Sequence, residues 1–279
     1  MKNIEIKEYE DKYASLLADM WNDSSENWFG YEHIITEKNI IDEHKYNDHI
    51  NTYIALDTKN EKVVAYCSLS EYRNDKGALY IPMLNVIPDY HGKKIAKNLV
   101  LKTIERTIEL GWPRLDLYTW PGNVKAVPLY KKCGFFWEKR DDKTHLMNFI
   151  PTVLKTEALK DYFKEIDWYN DSLRDILIEP DGSKESDYNY FEYKWQFDGN
   201  KLSVVFERLS RGITKVESPD YLIEAQLENY KLIYGKKYKI KYKVINKSDK
   251  NLNIKISAKD DGNIKFSFNE NKKIKKQQK

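Results

Sequence analysis

The sequence predicts a mixed α/β domain with a mostly antiparallel sheet, followed by a small all-β domain. Two observations carry this reading. Residues 1–150 alternate strand-like and helix-like periods, whereas beyond Pro151 the apolar period becomes two. Within the first half, YIPMLNVIPDYHGKKIAKNLVL (residues 80–101) runs as strand, Pro-containing turn, basic loop and helix. That order calls for one parallel crossover in an otherwise antiparallel sheet.

The elements follow from local pattern. Residues 3–9 alternate like a strand, and residues 11–21 place Tyr13, Leu16, Leu17, Met20 and Trp21 at helical spacing. Residues 36–49 read as a second helix. Residues 52–57 and 63–71 read as strands around the turn Lys59, Asn60, Glu61, and residues 78–86 as a third. Pro82 removes a ladder donor inside that strand, which favours a bulge or a splayed edge. Residues 95–110 form a helix ending at Gly111, as a C-cap requires. A strand over 114–118, a helix over 124–133 and a closing pair over 135–139 and 145–149 complete this half.

Past Pro151, residues 152–165 read as helix and EPDGSKESD as loop. Residues 190–197 and 202–208 form a hairpin around Asp198, Gly199 and Asn200. Further strands are expected over 212–217, 222–228, 237–245, 252–258 and 263–268. In YKIKYKVIN, lysines alternate with apolar residues, one face in water and one in a core. About seven short strands at this spacing predict a β-sandwich. The divisions are 1–150 for the α/β domain, 151–185 for a helical linker and loop, 186–270 for the sandwich-like domain, and 271–279 for a disordered Lys-rich tail.

Composition narrows the function. Charged residues make up 33% of the chain, with a net charge of +3. Residues 1–150 hold 21 Lys/Arg against 23 Asp/Glu, and residues 151–279 hold 26 against 21. The excess in the second half equals the five lysines of NKKIKKQQK, so no nucleic-acid-binding patch is expected. Two distant cysteines, Cys67 and Cys133, argue against a disulfide scaffold and for a reducing compartment. No signal-like N-terminus and no apolar run of ~20 residues occur, so a cytoplasmic protein without membrane contact is expected. The five histidines show no metal-ligand spacing, and no metal is expected.

The chemistry begins at the basic loop. The first N–H groups of a helix lack internal partners and lie at the positive end of its dipole, so they suit phosphate. Lys93 and Lys94 reinforce that sign. Some 25–40 residues on, LDLYTWPGNVKAVPLYKKCGFFWE repeats the logic of strand, turn and helix. HGKKIA (91–96) and NVKAVPLYKKCGF (123–135) together resemble the GNAT superfamily of N-acetyltransferases, the second matching its Asn-x-x-A-x-x-L-Y-x-x-x-G-F pattern. The resemblance covers about half the chain.

It implies a GNAT-type splayed sheet flanked by helices, and transfer of acetyl from acetyl-CoA to a primary amine of a small molecule or protein. The pyrophosphate would lie on Gly92, Lys93, Lys94, Ile95, Ala96 and Lys97, with His91 beside them. The pantetheine arm would pair with the strand Leu84, Asn85, Val86, and Asn123 would cap its helix and contact the cofactor. The family has Arg or Gln where His91 stands and Gly where Lys94 stands. Tyr130, core by spacing alone, becomes the general acid for the departing thiolate. Some relatives carry Glu where Tyr118 stands, which leaves Glu71, Asp116, His33 or a water relay as the base. Trp28, Phe29, Tyr31 and Trp120 are candidates for the acceptor pocket, and a homodimer is a possible assembly. A second reading, motivated by Lys94 and Tyr118, is a non-catalytic acyl-CoA sensor or scaffold. A third makes the β domain a partner-binding module.

Overall fold

An eight-stranded sheet organises the first half of the chain. Its order is β1 (Ile4–Glu8), β2 (His49–Asp57), β3 (Lys62–Glu71), β4 (Leu79–Tyr80), β6 (Leu115–Thr119), β8 (His145–Phe149) and β7 (Phe136–Trp137), with β5 (Leu84–Val86) paired to β3 alone. Every pairing is antiparallel except β4 with β6. This computed structural model describes residues 3–25, 33–120, 122–139, 145–185, 188–208, 211–229, 231–257, 263–266 and 269–275. The chain divides into two units, Met1–Lys160 with Asp175–Asp181, and Asp161–Arg174 with Gly182–Lys279.

The helices of the first unit cover the sheet with the apolar stripes their sequences predict. α1 (Ala14–Asp23) buries Ala14, Leu17, Ala18 and Met20, and α3 (Ile95–Leu110) buries Ile95, Leu99, Val100 and Ile104. α2 (Glu37–Tyr46) starts on a capping box, with the Asn39 N–H donating to Thr36 Oγ1 at 3.3 Å and the Thr36 N–H to Asn39 Oδ1 at 2.9 Å. Asn22 ties α1 to the start of α2 by two bonds with the main chain of Ile35, each 2.9 Å. α3 stops at Gly111, whose φ of 76° is the left-handed cap that glycine adopts freely. α4 (Ala126–Lys132) lies between β6 and β7 in the chain.

Three expectations are corrected here. The second helix ends at Tyr46, because Asn47 turns extended and accepts the His49 N–H on its side chain at 3.1 Å; His49 then opens β2 opposite Ser70. The helix over 152–165 is limited to α5 (Thr152–Lys155) and a 3₁₀ turn at Tyr162–Lys164, because Thr156 is extended and separate turns bury Leu159 and Ile166. Among the described residues the last strand is β17 (Asn269–Ile274), paired with β16 (Leu252–Ser257), and 263–266 of the expected strand are not in one. Residues 271–274 of the expected disordered tail therefore sit in a strand, where the Leu252, Ile254, Ile256 alternation finds its partner.

The second unit is all-β. β10 (Ser183–Glu185), β11 (Tyr188–Phe197), β12 (Asn200–Glu207), β13 (Ile213–Glu217), β14 (Tyr221–Leu227) and β15 (Ile240–Asn246) form an antiparallel meander, with β9 (Ser172–Leu173) added to β11. Asp198 and Gly199 turn the β11–β12 hairpin with φ of 44° and 76°, the pair of positive values a tight right-twisted hairpin needs. Phe191, Tyr193, Trp195, Val204 and Phe206 are buried, and the Trp195 indole donates to Trp168 O at 2.9 Å.

Candidate active site

The centre of the first sheet opens. β4 is hydrogen-bonded on both sides, and the Ile81 N–H still reaches Asp116 O at 2.9 Å. Pro82 has no N–H to continue the ladder. Beyond it, β5 keeps β3 but departs from β6, so among the described residues no strand lines its other edge. The splay expected at Pro82 is thus present.

The register decides which groups face the gap. Met83 O accepts from Ser68 N and Ile87 N donates to Val64 O, each at 3.1 Å, so Met83, Asn85 and Ile87 point their main chain at β3. Alternation along an antiparallel pair turns the amides and carbonyls of Leu84 and Val86 to the gap. Asn85 is the exception among the strand candidates. Its main chain faces β3 and its side chain donates to Ser24 Oγ at 2.6 Å under α1, so it does not reach the gap.

A 3₁₀ turn at Pro88–Tyr90 leads into the basic loop and is pinned from outside. The Tyr90 hydroxyl donates to Asp57 Oδ2 at 2.5 Å, and Asn60 bonds the same carboxylate oxygen at 2.8 Å. These bonds hold the Asp57 carboxyl below its ordinary range, the Tyr90 hydroxyl first among the causes. Lys93 Nζ lies 4.0 Å from the centre of the Tyr90 ring. His91 Nε2 donates to Val86 O at 2.8 Å, which pins its ring back onto β5.

Gly92 and Lys94 then take φ of 75° and 62°. A Cβ at Gly92 would meet nothing within 4 Å, so the loop is an open cradle. Lys94 is the residue just before α3, and its carbonyl accepts the first helical bond, from Asn98 N at 3.2 Å. Ile95 and Ala96 open the first turn, where a helix leaves its N–H groups without intrahelical acceptors. Lys94 therefore stands left-handed where most side chains are strained and glycine is at ease.

Asn123 lies just ahead of α4 and ties its first residue to β6: its Oδ1 accepts from Ala126 N at 3.2 Å and its Nδ2 donates to Thr119 Oγ1 at 3.1 Å. Tyr130 is buried on α4, edge-on to Phe135 at 6.1 Å between ring centres. Burial first, then Cys67, Cys133 and Tyr80, push its hydroxyl well above the ordinary phenol range, so it remains protonated. A tyrosine cluster stands at the β4–β6 junction. The Tyr72 hydroxyl donates to Tyr118 Oη at 3.0 Å, and its ring stacks on Tyr80 at 5.0 Å.

Two cavities lie beside Pro82, the first bordered by residues of α1 and α2 and the second by Tyr72 and Tyr80 of this cluster. One, of about 420 Å³, is lined by Trp21, Glu43, His49, Tyr66, Ser68 and Met83 among others. The second, of about 570 Å³, is lined by His49, Glu71, Tyr72, Arg73, Tyr80 and Pro82 among others. His49 and Pro82 border both. The His49 ring is 3.3 Å from Thr52 Oγ1, and burial, then the neighbouring His44, lower its pKa to about 4.

Of the expected base candidates, Glu71 lines the second cavity and His33 the first. Asp116 does neither; it is fully buried and both its oxygens accept from Arg114 Nε, at 2.9 and 3.0 Å. Trp120 is 53% exposed, folded over Gly122, where an added Cβ would fall 1.7 Å from its ring. Trp28, Phe29 and Tyr31 lie outside the described residues. Sequence reasoning misses His49 as a site residue, because helical spacing carries it into the end of the second helix.

Residues 14–135 match the Acetyltransferase (GNAT) family. The N-alpha-acetyltransferase MAK3 of Arabidopsis thaliana is 35% identical over 74 residues, 26% of this chain, and the match spans only 38% of the length of that relative. Similar solved structures include the PaiA N-acetyltransferase of Thermoplasma acidophilum in complex with coenzyme A, at 20% identity and TM-score 0.42, covering 53% of this chain and 98% of that one. The ribosomal-protein-S5-alanine acetyltransferase of Vibrio fischeri is 18% identical at TM-score 0.46, covering 54% and 94%. The spermidine N-acetyltransferase of Vibrio cholerae, in complex with coenzyme A and spermine, is 17% identical at TM-score 0.45, covering 56% and 100%.

Proposed function

From the premise that residues 14–135 are a GNAT-family acetyltransferase segment, we propose that the protein transfers acetyl from acetyl-CoA to a primary amine. The observation that carries this reading is the edge of β5 left unpaired by β6, followed in the chain by the left-handed loop at the head of α3. The donor set suits the ligand. A pyrophosphate fits the amides from Gly92 to Lys97, with Lys93 and Lys94 adding charge. A pantetheine amide fits the main chain of Leu84 and Val86 as an added strand would.

In the reaction, the amine nitrogen attacks the thioester carbonyl, the C–N bond forms and the C–S bond breaks. The sulfur leaves as a thiolate and takes the proton of the Tyr130 hydroxyl, and the phenolate so formed regains a proton from the water that carries away the one lost by the amine. The acceptor enters through the cavities beside His49, where Glu43 and Glu71 favour a cation. An imidazole titrating near 4 stores no proton at neutral pH. His49 therefore accepts a hydrogen bond from the amine, and the amine proton leaves through water.

The test is thiol release with a panel of amines. Tyr130→Phe should slow it by ~10²-fold or more while coenzyme A binding by calorimetry is kept; equal rates would remove Tyr130 from the chemistry. Lys94 supports a second reading, a non-catalytic acyl-CoA sensor, which predicts binding without thiol release on any amine. For the rest of the chain, we assign residues 186–270 an accessory role in partner contact or dimerisation, and the buried cysteines support a cytoplasmic location.

A further inference from the structure

Lys131 follows the proposed proton donor on α4 and is 1% exposed. Its Nζ donates to Leu177 O at 2.6 Å and Glu179 O at 2.9 Å, and pairs with Asp181 Oδ1 at 3.0 Å. Asp181 in turn is stitched to β7: its Oδ2 accepts the Trp137 N–H at 2.8 Å, and its own N–H donates to Trp137 O at 2.9 Å. Residues 175–181 are thus a strap across α4 and β7, far from both in the chain, and they pack with the first unit.

A buried ion pair is not required for stability, since apolar side chains of similar volume commonly do as well. What three directed donors supply, and an apolar side chain does not, is a fixed position. Successive residues on a helix point about 100° apart. Lys131 therefore faces the strap while Tyr130 points to a different side, edge-on to Phe135, and Phe135 N closes the turn on Tyr130 O at 3.1 Å. We propose that Lys131 is a positioning residue, which by locking the strap to α4 sets where the Tyr130 hydroxyl stands over the open edge of β5. This rests on the reading of Tyr130 as proton donor.

The test is a double-mutant cycle in the full-length chain: parent, Lys131→Met, Tyr130→Phe and the pair. The readout is kcat and KM for thiol release from acetyl-CoA, with the best amine of the panel or, where none is turned over, water as acceptor. Displacing a reacting group by about an ångström costs up to ~10²-fold. Lys131→Met is expected to lower kcat ~10-fold or more with little change in KM for acetyl-CoA. On top of Tyr130→Phe it should change kcat by less than about twofold, the range of additivity for uncoupled sites. The same loss in both backgrounds, or no loss in either, overturns the inference while leaving Tyr130 in place. Tyr130→Phe at the parental rate overturns both. Should Lys131→Met fail to fold, Asp181→Asn, which keeps an acceptor for Trp137, is read in the same cycle; absence of coupling there overturns the inference equally.

Discussion

Lys94 offers a direct measurement of how closely the basic loop approaches its ligand. Its φ of 62° and ψ of 12° are a left-handed conformation, which costs a non-glycine residue roughly 1–2 kcal/mol. Replacing it by glycine removes that cost but adds about 0.5–1 kcal/mol of unfolded-chain entropy. The net for Lys94→Gly is a gain of about 0.5 kcal/mol, or ~1–2 °C in Tm for a unit of this size. Lys94→Ala keeps the strain without glycine's entropy penalty, so it should fall below the glycine variant by the same ~0.5 kcal/mol. Thermal and urea unfolding without ligand measure the difference. Both variants lose one exposed charge, which should weaken coenzyme A about two- to fivefold at low salt and less at high salt. Glycine should recover affinity relative to alanine, because the main chain can then close on phosphate. Equal stability of the two variants would refute the left-handed assignment. Equal affinity would show that backbone approach at this position does not matter.

Three further outcomes follow from the geometry. His49 favours its neutral form in the folded state, with a pKa lowered to about 4 from the ordinary 6.5. The unfolded chain therefore binds the extra proton between those values; the contribution is full above pH 6.5 and lost as pH falls toward 4. His49→Gln should flatten that limb of a urea-midpoint-against-pH curve, and an unchanged slope would contradict the burial. Tyr90→Phe removes the hydroxyl held by Asp57 and Asn60, so coenzyme A should bind about threefold more weakly by calorimetry. Gly122→Ala must displace the Trp120 ring, visible as a change in tryptophan fluorescence with little change in Tm because that ring is largely exposed.

Much of this arrangement is legible in the residues themselves, and the reasons are local. Pro82 announces the splay because it has no ladder donor, Gly111 announces the end of α3 because a left-handed cap suits glycine, and Asp198 with Gly199 announces the hairpin. The spacing of Asn123 to Tyr130 places the asparagine just ahead of the helix that carries the phenol. What stays hidden depends on distant partners. His49 continues the polar helical run EKNIIDEHKY in sequence, and only pairing with Ser70 makes it a strand residue. The break at Thr156 follows from burying Leu159 in a turn of its own. Lys131 looks like an ordinary exposed lysine until residues 175–181 cover it. Lys94 can be recognised as a departure from glycine, but not that its backbone still adopts the glycine conformation.

The unpaired margin of β5 has a consequence for exchange with heavy water. Rim strands usually show protection at every second amide, and central strands at all of them. Here a strand in the middle of a sheet should behave like a rim: Asn85 and Ile87, bonded to β3, retain their hydrogens while Leu84 and Val86 surrender theirs quickly. A toothcomb pattern of deuterium uptake in the heart of the domain is the signature of a sheet lacking one strand of its own.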